Sequence, residues 1–140
     1  MLETFETVAK AVADPSRIRI LKLLEGGELC VCQITAVMDL APATISKHLA
    51  ALKTAGLLQH RRDAKWVHYR LAERALNLYA PHFLELVKSS MQGDPTVAED
   101  LRVLAQVNAL PVQVLCDRGR AALEPKILSP EGTACCGEQP

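Results

Sequence analysis

Two cysteines separated by one residue, Cys30 and Cys32 in the run Glu28-Leu29-Cys30-Val31-Cys32-Gln33-Ile34, are the residues of this chain best suited to chemistry. Thiolates select soft ions, so trivalent arsenic and antimony, cadmium and lead suit such a pair where magnesium and calcium do not. Each residue of an α-helix advances about 100° around the axis, which points positions two apart roughly 200° from one another. An intact helix therefore cannot aim both sulfurs at one ion. If both hold one ion, this turn is either distorted, so that capture competes with local backbone structure, or lies outside regular helix. The pair reads equally as two small apolar side chains packed under a short helix.

The surrounding pattern supplies the elements that must position these cysteines. Leu2, Phe5, Val8, Ala9 and Val12 form one apolar stripe of a first helix over 2–13. Asp14-Pro15 is an N-cap followed by proline at the first helical position, and Gly26-Gly27 stops the second helix. A short third helix is predicted from about Cys30 to Met38. After the tight Asp39-Leu40-Ala41 connection, Pro42 opens a fourth, with Ile45, Leu49 and Leu52 inward and Thr44, Ser46, Lys47 and His48 outward. Short helix, tight turn and longer helix with a polar outer face is the pattern of a helix-turn-helix. Residues 57–62 and 65–71 then read as a small basic hairpin turning at Asp63-Ala64, which is a wing. The helical period returns from Ala72 to about Gln92, with Pro81 kinking or dividing that helix, and Leu76, Tyr79, Ala80, Phe83, Leu84, Val87 and Met91 make its apolar face. That face and the first stripe predict a dimer interface between the first and fifth helices. The expected organisation is thus a mainly α fold with a β-hairpin over 1–92, a further helix over 93–110 opened by Asp94-Pro95, and a weakly ordered, cysteine-containing tail over 111–140.

Charge sharpens the functional reading. The chain is neutral overall, but between 42 and 75 Lys47, Lys53, Arg61, Arg62, Lys65, Arg70 and Arg74 face only Asp63 and Glu73, a local +5 balanced by −5 elsewhere. A basic segment confined to one part of an otherwise acidic chain fits the phosphate backbone of double-stranded DNA. Thr44, Ser46, Lys47 and His48 are the candidate base and phosphate contacts, and Arg61, Arg62 and Lys65 of the wing the candidate backbone contacts. No apolar run of about 18 residues and no signal-peptide pattern is present, which predicts a cytoplasmic protein without a membrane partner. Five cysteines in that setting are expected to be ligands or sensing thiols rather than a disulfide framework.

Residues 13–24, 28–34, 42–58 and 66–71 together resemble the ArsR/SmtB family of metal-responsive repressors, over about residues 5–90. The strongest element is Glu28-Leu29-Cys30-Val31-Cys32, which resembles the Glu-Leu-Cys-Val-Cys box of the arsenite-sensing and cadmium/lead-sensing branches. The resemblance implies a homodimeric winged-helix repressor that occupies a palindromic operator when metal-free and leaves it when thiolates bind the inducer, arsenite first, with antimonite, methylarsenite, cadmium or lead as alternatives. Thr35 stands where one type of arsenite repressor carries a third cysteine, and no cysteine precedes Cys30. Cys116 and the vicinal Cys135-Cys136 are therefore the remaining candidate donors. A second site known in the family, zinc between the fifth helices, is half matched by His82-x-x-Glu85, but its other half falls at Tyr69 and Leu71, which are not ligands.

An enzyme is the main competing class. The sixth residue after Cys30 is Ala36 and after Cys116 is Ala122, so the cysteine–arginine loop of phosphatase-like reductases is missing, and no phosphate loop or nucleotide motif appears. A thiol redox sensor, closing disulfides among these cysteines, is the third option.

Overall fold

A computed structural model of the chain describes residues 1–123. Helix α1 (Leu2–Val12) lays Val8 and Ala11 into the core. Helix α2 (Pro15–Leu23) starts where the Asp14 carboxylate accepts from the Arg17 N–H at 3.1 Å, with proline in its first turn. A short 3-10 turn over Leu24–Gly26 and Gly27, at φ 132°, redirect the chain into strand β1, Leu29–Cys30. Helix α3 (Val31–Met38) ends at Asp39, whose φ of 56° and ψ of 41° make the left-handed turn of the helix-turn-helix. Aspartate tolerates that conformation better than most side chains. Helix α4 (Pro42–Thr54) follows, burying Ile45, Leu49 and Leu52 on one face.

Strands β2 (Leu58–Asp63) and β3 (Trp66–Leu71) form the antiparallel wing, in register from Leu58↔Leu71 to Asp63↔Trp66. The sheet has three strands rather than the expected two. Its order is β1-β3-β2, and β1 pairs Leu29 with Tyr69 and Cys30 with His68. Core side chains of the helix-turn-helix, among them Ile20, Ile34, Ile45, Leu49, Leu52 and Leu57, are at most 1% exposed. Burial of a Leu or Ile of this kind contributes about 1.5–3 kcal/mol each, so this part of the fold rests on apolar area.

Two expectations are corrected beyond the wing. The helix predicted from Ala72 begins only at Ala80: α5 spans Ala80–Lys88. Asn77 sets the start, its Oδ1 accepting from the Tyr79 and Ala80 N–H groups while its Nδ2 donates to the Ala55 carbonyl. Pro81 therefore sits in a first turn, where its missing N–H costs nothing, and Leu76 and Leu78 lie exposed outside the helix. Helix α6 (Pro95–Val107) starts at the Asp94 cap as expected. Beyond Pro111, however, the chain is not a loose tail as far as it is described: α7 (Val112–Arg118) and a 3-10 turn over Gly119–Leu123 bury Leu115 and Leu123 to 1% exposure.

Helices α6 and α7 pack on α2 and α3 rather than over α1 and α5. Arg19 clasps the buried Asp100 carboxylate through Nε and Nη2 at 2.7 and 2.8 Å, and Arg120 donates to the Val37 carbonyl of α3 at 3.1 Å. The α1–α5 contact is made by Phe5, edge-on to Tyr79 and Phe83 at 5.2 and 5.6 Å between ring centres. Around it Leu2, Phe5, Leu76, Leu78 and Leu86 remain exposed in the single chain. Among the described residues no helix is long and apolar enough to cross a membrane.

Candidate thiol centre and nucleic-acid interface

Cys30 is extended, with φ −76° and ψ 152°, and serves as the N-cap residue of α3, so it lies outside the regular helix. Its N–H donates to Gln33 Oε1 at 2.8 Å, the backward half of a capping box. Cys32 follows inside the first turn. That break at residue 30 resolves the angular conflict of two cysteines on one helix: capture needs no unwinding of α3, because one of the two positions never joins it.

Cys116 on α7 completes the group. The sulfurs of Cys30, Cys32 and Cys116 all lie within 4.8 Å of one another, the one such cluster of His, Cys, Asp and Glu donors among the described residues. Two sulfurs each about 2.3 Å from a shared ion can be no more than about 4.6 Å apart, so the three are close enough to meet one centre once Cys32 and Cys116 are reduced and their sulfurs move apart. Cys32 and Cys116 are joined as a disulfide with Cα atoms 5.2 Å apart, whereas Cys30 is a free, buried thiol. The expectation of thiols without a disulfide is corrected here: α7 docks its cysteine directly against the first turn of α3, which brings two thiols 84 residues apart within bonding reach. A cavity of about 430 Å³ opens over Cys32 and Cys116 between Val31, Leu40, Pro42 and Leu115, giving a small molecule access to these two sulfurs. Cys135 and Cys136 lie outside the described residues.

The candidate DNA contacts separate into free and engaged groups. Thr44, Ser46 and Lys47 are exposed along α4, while His48 is half-buried and its Nδ1 accepts from Arg17 Nε at 3.2 Å. Arg17 thus stands beside the recognition helix, a neighbour that no sequence signal marked. On the wing Arg62 and Lys65 are exposed, with Lys65 Nζ 5.4 Å from the centre of the Trp66 ring. Arg61 is engaged: its Nε and Nη2 donate to both carboxylate oxygens of Glu28 at 2.7–3.0 Å. Arg61 in turn holds the Glu28 carboxyl below its ordinary pKa, chiefly through that hydrogen bond, so Glu28 stays ionised at neutral pH. Arg70 lies 3.9 Å from the same carboxylate. His82 and Glu85 are exposed on α5, and Tyr69 and Leu71 are paired into β3.

Residues 14–60, the span from the α2 cap to the start of the wing, match the family described as "Bacterial regulatory protein, arsR family". A cadmium resistance transcriptional regulatory protein CadC homolog of Staphylococcus aureus is 40% identical over 92 residues, covering 65% of this chain and 70% of that protein. The chain belongs to the ArsR family. The arsenical resistance operon repressor of Escherichia coli is 50% identical over 64 residues, 45% of this chain and 55% of the repressor. The chain spans about half the length of the first curated relatives it matches. Among solved structures, a possible transcriptional regulatory protein of Mycobacterium bovis superposes with a TM-score of 0.54 at 33% identity, covering 62% of this chain and 89% of that one. The same Mycobacterium bovis domain is described in solution as a homodimeric winged helix-turn-helix DNA-binding domain. The fold of this ArsR-family chain is accordingly a winged helix-turn-helix, and its family is one of DNA-binding regulators rather than enzymes. Helix α7 and its cysteine lie beyond the residues matched by the family description.

Proposed function

We propose that this protein is a cytoplasmic, homodimeric transcriptional repressor that binds a palindromic operator when its thiols are free and leaves it on capturing trivalent arsenic. The observation that carries this reading is the convergence of Cys30, Cys32 and Cys116 within 4.8 Å at the base of α3. Arsenite and three thiols exchange three As–O for three As–S bonds, each thiol proton leaving in a water molecule. The three donors come from β1, from the first turn of α3 and from α7, so one captured atom ties together three elements around the helix that packs against α4. A methylated trivalent arsenical needs only two of the sulfurs, and antimonite, cadmium and lead compete for the same donor set.

In this reading Thr44, Ser46 and Lys47 of α4 contact bases and phosphates, with His48 set by Arg17, and Arg62 and Lys65 track the backbone beside the minor groove. The exposed apolar residues of α1 and α5 make the dimer contact that spaces the two α4 helices about 34–36 Å apart for successive major grooves. Cys135 and Cys136 are additional donor candidates from the remainder of the chain.

A duplex selected from random sequence as the operator, bound by the fully reduced protein and titrated with arsenite, antimonite, methylarsenite, cadmium, lead and zinc, tests the proposal by fluorescence anisotropy. Arsenite is expected to weaken binding about 5- to 150-fold, the usual size of coupling between two sites. No release by arsenite from reduced protein sinks the proposal.

The Cys32–Cys116 disulfide favours a second reading, a thiol redox sensor in which oxidation itself sets operator affinity. The same assay separates the two: a redox sensor changes affinity between oxidised and reduced protein without any metalloid, whereas in the first reading oxidation withdraws two of three donors and abolishes the response to arsenite.

A further inference from the structure

Strand β1 makes the proposed sensor part of the wing. Cys30 is at once a candidate donor and the partner of His68 on β3, and the residue that introduces the strand, Glu28, reaches across the sheet to β2. There it takes the Nε–Nη2 edge of Arg61, one of the three basic side chains expected to hold DNA phosphate, while Arg61 Nη1 lies 3.8 Å from Asp63 Oδ2. A carboxylate and a phosphate ask for the same planar pair of N–H donors, so the Nε–Nη2 edge held by Glu28 cannot at the same time be offered to phosphate, and the Nη1 side faces a second carboxylate, Asp63. One residue, Leu29, separates Glu28 from Cys30, so the position of this carboxylate is set by the strand that carries the candidate donor.

We propose that Glu28 is the positioning residue that transmits inducer capture to the wing: it competes with operator phosphate for Arg61, and fixing Cys30 in the thiol centre holds Glu28 where it wins. This rests on the reading of Cys30, Cys32 and Cys116 as the inducer site. The Glu28–Arg61 pair is closed in the DNA-free chain while Cys30 is still a free thiol, so the contact that withholds Arg61 is built in, and holding Cys30 in the centre adds to it. On the operator the pair opens and Arg61 turns to the backbone. A residue that favours the released state by occupying a DNA-binding side chain lowers operator affinity, and it raises the inducer's effect to the extent that inducer capture strengthens its hold on that side chain.

The sign of the effect separates this role from a merely structural one. Replacing Glu28 by glutamine, which keeps the shape and loses the charge, is expected to tighten operator binding about 3- to 5-fold, the upper size for a largely exposed ion pair. Release by arsenite is expected to weaken as well, while arsenite affinity in the absence of DNA, followed by arsenic–thiolate absorbance, stays within about twofold of the parent. Arg61→Gln alone should weaken operator binding and reduce the salt dependence of log affinity by about 0.9, one phosphate contact. In the Arg61→Gln background the Glu28→Gln change should then do nothing. An unchanged or weaker operator affinity for Glu28→Gln overturns the proposal. So does an equal gain with and without Arg61, which would make the effect one of general charge. Loss of arsenite release in the parent protein is a different result, and overturns the inducer site instead.

Discussion

Helix α3 is held from two sides by two kinds of force. Toward α2, α4 and the wing it meets the helix-turn-helix core, where Ile20, Ile34, Ile45 and Leu49 are essentially fully buried. Toward α6 and α7 it meets an extension that buries Val103, Val107 and Leu115 in the same apolar cluster and is tied in addition by directional contacts: Arg19–Asp100, Arg120 on the Val37 carbonyl, and Cys32–Cys116. Apolar burial is non-directional and spread over many residues, so the reading half tolerates small movements while keeping its shape. The extension adds to its apolar contact a handful of directional ties, one of which is a pair of sulfurs whose bonding state chemistry can change. A regulator needs that asymmetry, a stable reading head and a strap whose grip can be altered.

The strongest way to break this comparison is to remove the ion pair between α2 and α6. Arg19→Ala leaves the Asp100 carboxylate, whose side chain is 8% exposed, without a partner. Stripping one member from a buried pair is expected to cost about 3–5 kcal/mol, measured by urea unfolding. Asp100→Asn, which keeps a hydrogen-bonding group beside an arginine that is 28% exposed, should cost much less, about 1–2 kcal/mol. If both variants lose under about 0.5 kcal/mol, apolar contact holds the extension as it holds the reading head, and the contrast between them is gone.

The sulfur bridge gives the next effect. Closing an 84-residue loop restricts the unfolded chain, and its loss in Cys116→Ser is expected to lower the stability of the oxidised protein by about 2–4 kcal/mol. In a dithiol reductant parent and variant should agree within about 0.5 kcal/mol, and amide exchange in α7 should rise on reduction of the parent while that of α4 stays put. If exchange rises equally in both helices, the bridge braces the whole domain, and the strap is not separable from the reading head.

The same contrast explains which parts were legible in the sequence. Periodicity of apolar residues, the Asp14-Pro15 and Asp94-Pro95 starts and the glycine stops located α1 to α4, the wing and α6, because each signal lies within a few residues of the structure it causes. The box at 28–32 was legible as chemistry, but its geometry was not: that Cys30 is a strand residue depends on pairing with His68, 38 positions away. Helix α7 is seven residues long, too short for a period to show, and its cysteine meets Cys32 84 positions away, while Arg120 in the turn after it reaches Val37 across 83. The late start of α5 was missed because Leu76 and Tyr79 continue the helical spacing, while the residue that overrides it, Asn77, acts through its side chain. Glu28 and Arg17 were invisible as partners of Arg61 and His48 for the same reason of distance in the chain.

The smallest test concerns Gln33, a side chain that hydrogen-bonds in both regions. Its Oε1 accepts from the Cys30 N–H within the reading half, and its Nε2 donates to Asn108 Oδ1 of the extension at 3.0 Å in an exposed position. Gln33→Ala removes both bonds and should cost about 1 kcal/mol, the ordinary worth of a helix cap. Gln33→Glu keeps the acceptor and places a negative charge in the first turn of α3, where the helix dipole favours it, but it can no longer donate to Asn108. If the two regions differ as argued, the local cap carries nearly all of the effect: Gln33→Glu should match the parent in thermal unfolding, and Asn108→Ala should lose less than about 0.5 kcal/mol. Equal losses for Gln33→Glu and Gln33→Ala would instead assign the energy to the bridge with Asn108. An exposed polar contact between the regions would then hold as firmly as the cap within one of them.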